Sequence, residues 1–301
     1  MITRAMLMTA GLGTRLRPYT GVLPKPLLPL LGVPMAQFAL DGLVDAGVRR
    51  IVANVHHLPE VTRSGLAGLE RGQAELVLSD ESQLLLGSAG GIRKALDQFE
   101  GEAFFYANAD VLCPVDWAEL GKRHEELARS HGVRLTLLLL PRGPAGEKYR
   151  EIQVDSERMR VSALGEPREG APFFAGAAVF DPAAFSGLPI EKPSDFVADV
   201  LRQEVAAGRV GVAWGQGEWM DIGSPELWHR AHLQCVEKRA TLPPLWQRRL
   251  EFGQKVQEQR PGVWKGAGFQ VDLANRQVIY GASGTQSGPG ISFNGIWTKC
   301  P

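Results

Sequence analysis

Ala5-Met6-Leu7-Met8-Thr9-Ala10-Gly11-Leu12-Gly13-Thr14-Arg15-Leu16-Arg17-Pro18 is the stretch whose reading decides the fold. Its apolar opening reads as a short buried strand that stops at Ala10-Gly11, and a Gly- and Pro-rich loop then runs to about Pro29. Glycines after a strand let backbone N–H groups approach an anion, and Arg15 adds a forked cationic donor, so the loop suits a phosphate; a plain turn is the alternative. Leu16 stands where a dinucleotide-binding turn needs its third glycine, and the Gly-Lys-Ser/Thr of a P-loop is absent. Pro24-Lys25-Pro26 then holds Lys25 between two residues of fixed φ, on a stiff strut.

Outward from this loop, apolar β-type runs alternate with amphipathic stretches. Strands are expected over 51–55, 75–78, 103–107 and 133–140, and helices over 34–46, 92–99 and, with Asp116 as N-cap, to 130. The run 133–140 is the most apolar and reads as a central strand. Residues 151–180 change to shorter alternating strands broken by Gly and Pro, expected to be antiparallel. A helix over 194–207, strands over 210–213 and 218–220, and a helix from Pro225 to 238 capped by Ser224 follow. The pattern predicts an α/β fold: a Rossmann-like, mixed but mainly parallel sheet flanked by helices over 1–238. Residues 239–301, with Leu242-Pro243-Pro244 at the start and a Gly/Ser cluster over 281–290, read as a small β-rich appendage.

Composition narrows the function. The 301 residues carry 33 Lys+Arg and 33 Asp+Glu, so no net charge attracts nucleic acid or an anionic membrane. The apolar run 135–140 is far too short to span a bilayer. Cys113, Cys235 and Cys300 are odd in number and scattered, which fits free thiols in the cytoplasm and no structural zinc. His56-His57, as adjacent strand residues, point to opposite faces, and the pair His229 and His232 lacks a third ligand nearby in sequence, so all four read as structural. Asp110, just past a buried strand, lies at the carboxyl edge where open α/β sheets bind ligands; Asp221 precedes the last helix. Each alone reads equally well as a turn residue, but together they suffice for Mg²⁺, which takes only one or two protein carboxylates.

Read in order, Ala10 to Pro18, Pro24-Lys25-Pro26-Leu27, Gly87-Ser88-Ala89-Gly90-Gly91, Asn108-Ala109-Asp110, Phe174-Ala175-Gly176 and Trp219 to Pro225 resemble the sugar-1-phosphate nucleotidyltransferases, or NDP-sugar pyrophosphorylases. The likeness covers about 1–235 and is nearest to the mannose- and heptose-1-phosphate guanylyltransferases and the N-acetylmuramate-1-phosphate uridylyltransferases. It implies an enzyme that moves a nucleotidyl group from a nucleoside triphosphate, GTP or UTP, to a sugar 1-phosphate with Mg²⁺ on Asp110 and Asp221. Arg15 and Lys25 would be the catalytic cations. Ala10, Gly11, Gly13, Thr14, Gly87, Ser88, Ala89 and Gly90 would meet the nucleotide, with Glu81 framing the base. Asn108, Lys148, Arg150, Glu166 and Gly176 would face the sugar phosphate, a hexose or heptose type. Here Gly165-Glu166-Pro167-Arg168 lacks the lysine of the Glu-Lys-Pro that many relatives carry, so Lys148, Arg150 or Arg168 is left to replace it. The alternative is a non-catalytic relative that senses nucleotide or sugar and acts through a partner. The appendage faintly resembles part of a left-handed β-helix, is expected to be dispensable for chemistry because every matched motif precedes it, and is a candidate oligomer contact.

Overall fold

The computed structural model of the chain describes residues 1–143, 146–281 and 288–300. Strand β1 (Arg4–Met8) forms as the sequence predicts, with Ala5, Met6 and Leu7 buried. On one side of it lie β2 (Arg50–Val55) and β3 (Glu75–Asp80), and on the other β4 (Phe104–Asn108), all parallel. Next in the chain are β5 (Leu135–Leu140), β6 (Tyr149–Asp155), β7 (Arg160–Arg168), β8 (Phe173–Phe180) and β9 (Val210–Trp214). They complete a nine-stranded sheet in the order β3-β2-β1-β4-β8-β5-β9-β7-β6. Only β8 and β7 run against the rest, so the added strands 149–180 are antiparallel as expected.

Strand β5 is apolar throughout because both its faces are buried: Leu135, Leu137 and Leu139 join the core on one side of the sheet, and Leu138 and Leu140 the core on the other. The core that holds Leu138 and Leu140 is covered by α1 (Met35–Asp45), α2 (Pro59–Ala67) and α4 (Trp117–His131), and the core that holds Leu135, Leu137 and Leu139 by α3 (Gly87–Ala95) and the π-helical stretch Phe196–Leu201 that runs into α5 (Arg202–Ala206). Asp116 caps α4, its Oδ1 accepting from the Glu119 amide at 2.9 Å. Ser224 caps α6 (Pro225–Glu237), its Oγ accepting from Leu227 at 3.3 Å.

Three elements differ from expectation. Helix α3 starts at Gly87, not near Ile92, so Gly87–Gly91 is already helical; α2 was not foreseen. The Pro243-Pro244 pair, at the start of the appendage expected to be β-rich, instead starts α7 (Pro244–Leu250), for which proline in the first turn is preorganised.

The C-terminal sheet is β10 (Gln257–Arg260), β11 (Val263–Gly266), β12 (Phe269–Asp272), β13 (Gln277–Tyr280), β14 (Gly290–Phe293) and β15 (Ile296–Lys299), neighbours in that order. Every pair is antiparallel except β13 with β14, so this is a meander and not the stacked parallel rungs of a β-helix. The Gly/Ser cluster over 281–290 lies largely outside the described residues.

The sheet has no core to itself. Val271, Val278, Ile291 and Phe293 belong to one cluster with Leu16, Tyr19, Leu28, Leu30, Met35 and Phe38 from the N-terminal third and Trp228, Leu233 and Val236 from α6. A fragment ending near 238 would expose that face to water, so the expectation that the appendage is dispensable for chemistry applies only where the truncated chain still folds. Ile291→Ala is expected to destabilise the whole chain by about 2–5 kcal/mol in urea. One cooperative transition should move; two separate transitions would show that the C-terminal sheet folds by itself.

Candidate active site

Asp110 follows β4, and the next two residues, Val111–Leu112, pair antiparallel with Met220–Asp221, placing Asp221 opposite Val111. This two-residue ribbon brings the two aspartates, 111 positions apart in the chain, to one place at the carboxyl ends of β1 and β4. Asp110 Oδ2 accepts from Lys25 Nζ at 2.7 Å, and Lys25 is only 8% exposed. Lys25–Leu27 is a single 3₁₀ turn, not the extended strut that the flanking prolines suggest. Arg15 closes the group from the other side: a Cβ built on Gly223 would lie 2.7 Å from Arg15 Nη2 and 2.9 Å from Asp221 Oδ2, so both side chains lie over that glycine.

Burial pushes the Asp221 carboxyl above its ordinary range; Lys25 and Arg15 pull it down, and the Asp110 and Glu147 carboxylates push it up again. Two half-buried carboxylates sharing one region fit a divalent cation, which would relieve their repulsion. Among the described residues no group of three or more His, Cys, Asp and Glu is arranged to hold a metal, so a cation on this pair would need ligand and water oxygens to complete its shell.

The cleft beside this pair, about 360 Å³, is lined by Ala10, Gly11, Lys25, Gly87, Ser88, Asn108 and Asp110, and also by Thr9, Asn54 and Tyr106, which the sequence reading missed. Asn54 is the organising residue. Its Oδ1 accepts from the Thr9 and Ala10 amides at 2.7 and 3.3 Å, and its Nδ2 donates to Glu81 Oε1 at 2.8 Å. A polar residue in the apolar run Ile51-Val52-Ala53-Asn54-Val55 was the available signal. Glu81 itself is buried, takes the Leu86 amide at 3.0 Å on its other oxygen, and has its carboxyl pushed up by burial. It braces Asn54 and the start of α3 and does not line the cleft.

The glycines of α3 answer to packing. A Cβ on Gly87 would lie 2.8 Å from the Ser194 carbonyl oxygen, one on Gly90 2.7 Å from that of Lys192, and one on Gly91 2.5 Å from Glu81 Oε1. The Ser194 carbonyl accepts from the Ala89 and Gly90 amides at 3.0 and 3.3 Å, and Ser88 Oγ accepts from Phe196 at 2.8 Å. Gly87 and Ser88 reach the cleft, while Ala89 and Gly90 face the 192–196 backbone. Gly11 behaves oppositely: a Cβ there would meet no protein atom within 4 Å, so packing does not require glycine at this cleft-lining position. Gly13, in the left-handed region at φ +59°, and exposed Thr14 form the outer turn next to Arg15 and are not cleft walls.

On the acceptor side, Tyr106 donates to Asn108 Oδ1 at 2.6 Å, and a Cβ on Gly176 would lie 3.1 Å from Asn108 Nδ2, so glycine there leaves room for the Asn108 side chain. Gly176 borders a different, mostly apolar cavity of about 520 Å³ between α1, the start of α4 and Pro243–Trp246. That cavity contains none of Lys25, Asp110 and Asp221, so the smaller, charged cleft is the candidate active site. Lys148 is exposed, Arg150 donates to the Gly165 carbonyl at 2.9 Å, Glu166 is exposed on β7, and Arg168 is paired with Glu151. None of these four lines the cleft. Arg230 of α6, 3.6 Å from Glu147, is a further cation on this side that the sequence reading missed.

Other reactive groups are occupied elsewhere. His56 and His57 bond the Glu81 and Thr20 carbonyl oxygens at 2.7 and 2.6 Å, and His229 that of Arg276 at 2.7 Å. Burial raises the Cys113 and Cys235 thiols to about 12 and Cys300 to about 11, so no thiolate nucleophile is at hand.

Comparison with known proteins follows the same lines. Residues 4–238 match the family described as Nucleotidyl transferase, and the chain belongs to that family. Curated relatives include "Probable mannose-1-phosphate guanylyltransferase 2" of Oryza sativa subsp. japonica, 28% identical over 79% of this chain and 67% of that protein. They also include the "Mannose-1-phosphate guanylyltransferase catalytic subunit beta" of Drosophila pseudoobscura pseudoobscura, 29% identical over 74% and 60%, and the "UTP--glucose-1-phosphate uridylyltransferase" of a Synechocystis strain, 26% identical over 91% and 72%. The chain thus spans between about three fifths and three quarters of the length of these relatives. Among solved structures, HddC from Yersinia pseudotuberculosis complexed with GMP-PN has TM-score 0.63 at 21% identity, covering 77% of this chain and 98% of that one. An apo UDP-glucose pyrophosphorylase has TM-score 0.64 at 19%, covering 79% and 100%. At these identities the two structures establish the fold. Among the described residues no helix is long and apolar enough to cross a membrane.

Asp221 is a test of the electrostatics. Because its folded-state pKa lies above the ordinary value, the native protein binds a proton that the unfolded chain releases, and stability falls as pH rises through that window. Asp221→Asn should therefore equal or exceed the parent in thermal midpoint at pH 7 without metal, with the gain shrinking as the pH falls towards about 4. A midpoint several degrees lower at pH 7 would mean that the Asp221 charge holds the fold together.

Proposed function

We propose that this chain transfers a nucleotidyl group from a nucleoside triphosphate to a sugar 1-phosphate, releasing pyrophosphate. The observation that carries the reading is the joining of Lys25, Asp110 and Asp221, with Arg15 over Gly223, at one end of a cleft floored by β1 and β4. In the reaction an oxygen of the sugar phosphate attacks the α-phosphorus; that P–O bond forms as the bond to the β-phosphate oxygen breaks, and the electron pair leaves on pyrophosphate. The attacking oxygen is already ionised at neutral pH, so positioning and charge stabilisation do the catalysis and no strong base is required.

Lys25 and Arg15 neutralise the triphosphate, Lys25 moving from Asp110 to phosphate oxygen as substrate binds. Asp110 and Asp221 would hold Mg²⁺, whose charge would offset that developing at the α-phosphate. The Thr9 and Ala10 amides are held by Asn54 in front of the cleft, and Gly11 leaves space for the nucleotide. Tyr106 and Gly176 set the Asn108 side chain that faces the sugar phosphate. GTP or UTP is the donor in this reading, supported by relatives named as guanylyltransferases and a uridylyltransferase, and the acceptor is a hexose- or heptose-type 1-phosphate. The free state of all three cysteines supports a cytoplasmic setting.

Two measurements check this. Asp110→Asn should remove most pyrophosphate release, and Lys25→Ala should lose at least tenfold, on the order of the 1.4 kcal/mol of one charge-assisted contact; near-parent rates in magnesium for both would sink the assignment. Thermal-shift titration with the four NTPs and magnesium should show the largest stabilisation with GTP or UTP, whereas equal shifts with all four would defeat base selectivity.

A further inference from the structure

We propose that the C-terminal sheet is the positioning frame of the phosphate-binding loop, and that Tyr19 and Thr298 set where Arg15 and Lys25 stand. The inference rests on the nucleotidyl-transfer reading for its kinetic part and on geometry alone for the rest. Between β1 and α1 the chain makes three isolated 3₁₀ turns, Thr14–Leu16, Tyr19–Gly21 and Lys25–Leu27, a two-residue pairing of Pro29–Leu30 with Val33–Pro34, and one side-chain tie, Thr20 Oγ1 donating to the Gly13 carbonyl at 2.9 Å. So short a set of local hydrogen bonds cannot fix two cations ten residues apart, and the loop must be held from outside.

The holding comes from the other end of the chain. Tyr19, midway between Arg15 and Lys25, is fully buried. Its ring meets Trp228 edge-on at 5.3 Å and Phe293 at 6.4 Å; its hydroxyl donates to the Ile291 carbonyl at 3.1 Å and lies 2.5 Å from the Thr298 hydroxyl. A second anchor closes the loop. Tyr280 accepts from the Gly32 amide at 3.3 Å, and Trp228 Nε1 donates to the Pro29 carbonyl at 2.8 Å. Behind them His232 lies 2.7 Å from the Tyr280 hydroxyl; burial lowers its pKa to about 3, so it is neutral and cannot bring an unpaired charge into this core. Toward the cleft the same loop is met by Asp110 at Lys25 and by the His57 ring at the Thr20 carbonyl.

An anchor of this kind acts through pre-organisation: a displacement of about 1 Å in a charge-stabilising group can cost up to about a hundredfold in rate. Tyr19 and Thr298 touch neither the cleft nor its metal pair, so they are positioning residues. A purely structural role would lower stability and leave the rate of the folded enzyme unchanged.

The test uses the full chain, well below its thermal midpoint, with the parent, Tyr19→Phe, Thr298→Val, Lys25→Ala and Tyr19→Phe/Lys25→Ala. Hydrogen exchange over 11–24 is expected to speed up in Tyr19→Phe and Thr298→Val while β4 stays protected. With a triphosphate and sugar 1-phosphate, each of those two should lose about tenfold in kcat/KM, and Tyr19→Phe should cost measurably less once Lys25 is already alanine, the part that remains acting through Arg15. Unchanged exchange over 11–24 overturns the proposal, and so does faster exchange with unchanged kcat/KM or an equal loss in both Lys25 backgrounds. If the parent turns over no pair of substrates, the activity reading fails, and the exchange result still decides whether the sheet holds the loop.

Discussion

Two carboxylates held side by side by a two-residue ribbon are the constraint around which the molecule is arranged. Asp110 and Asp221 repel one another, and burial adds to the cost of charging Asp221. The fold meets that cost by delivering cations to the same place. Lys25 comes on the third of three short turns and Arg15 on the first, both from a loop with little structure of its own. A site that is electrostatically balanced only when loop, strand end and ribbon coincide is stable chiefly through the packing behind it, and that packing is the cluster shared by the loop, α6 and the C-terminal sheet.

A second layer fixes the opposite wall. Asn54 links the Thr9 and Ala10 amides to Glu81, and Glu81 links Asn54 to the Leu86 amide at the start of α3. Because Glu81 is buried, each of these hydrogen bonds also satisfies a group that would otherwise be stranded away from water. The 192–196 segment then sits on α3 through Ser194 and Ser88, which is why bulk is excluded at Gly87 and Gly90.

What could be read in the sequence was what local chemistry decides. The strand-then-glycine start, the doubly buried leucine strand, and the caps Asp116 and Ser224 each depend on neighbours a few residues away. What could not be read depends on contacts across the chain. The need for glycine at 87 and 90 is hidden until the carbonyls of Ser194 and Lys192 are laid against them, and Glu81 looks like a surface acid until Asn54 is found beside it. Tyr19 carries no local sign that residues 291 and 298 will hold it. The C-terminal strands resembled solenoid rungs because short apolar runs and glycines do not distinguish parallel stacking from a meander. The candidate residues Lys148, Arg150 and Glu166 lie on or beside a hairpin at the far edge of the sheet, β6 and β7, whose reach into the cleft no sequence spacing encodes.

The central claim is that Asp110 and Asp221 act as one unit. A double-mutant cycle of turnover in magnesium, with Asp110→Asn, Asp221→Asn and the double variant, tests it most directly. If the pair shares one metal ion, the double variant should lose no more than the worse single variant, since either change already empties the site. A loss equal to the product of the two single losses would show two independent groups and contradict the account.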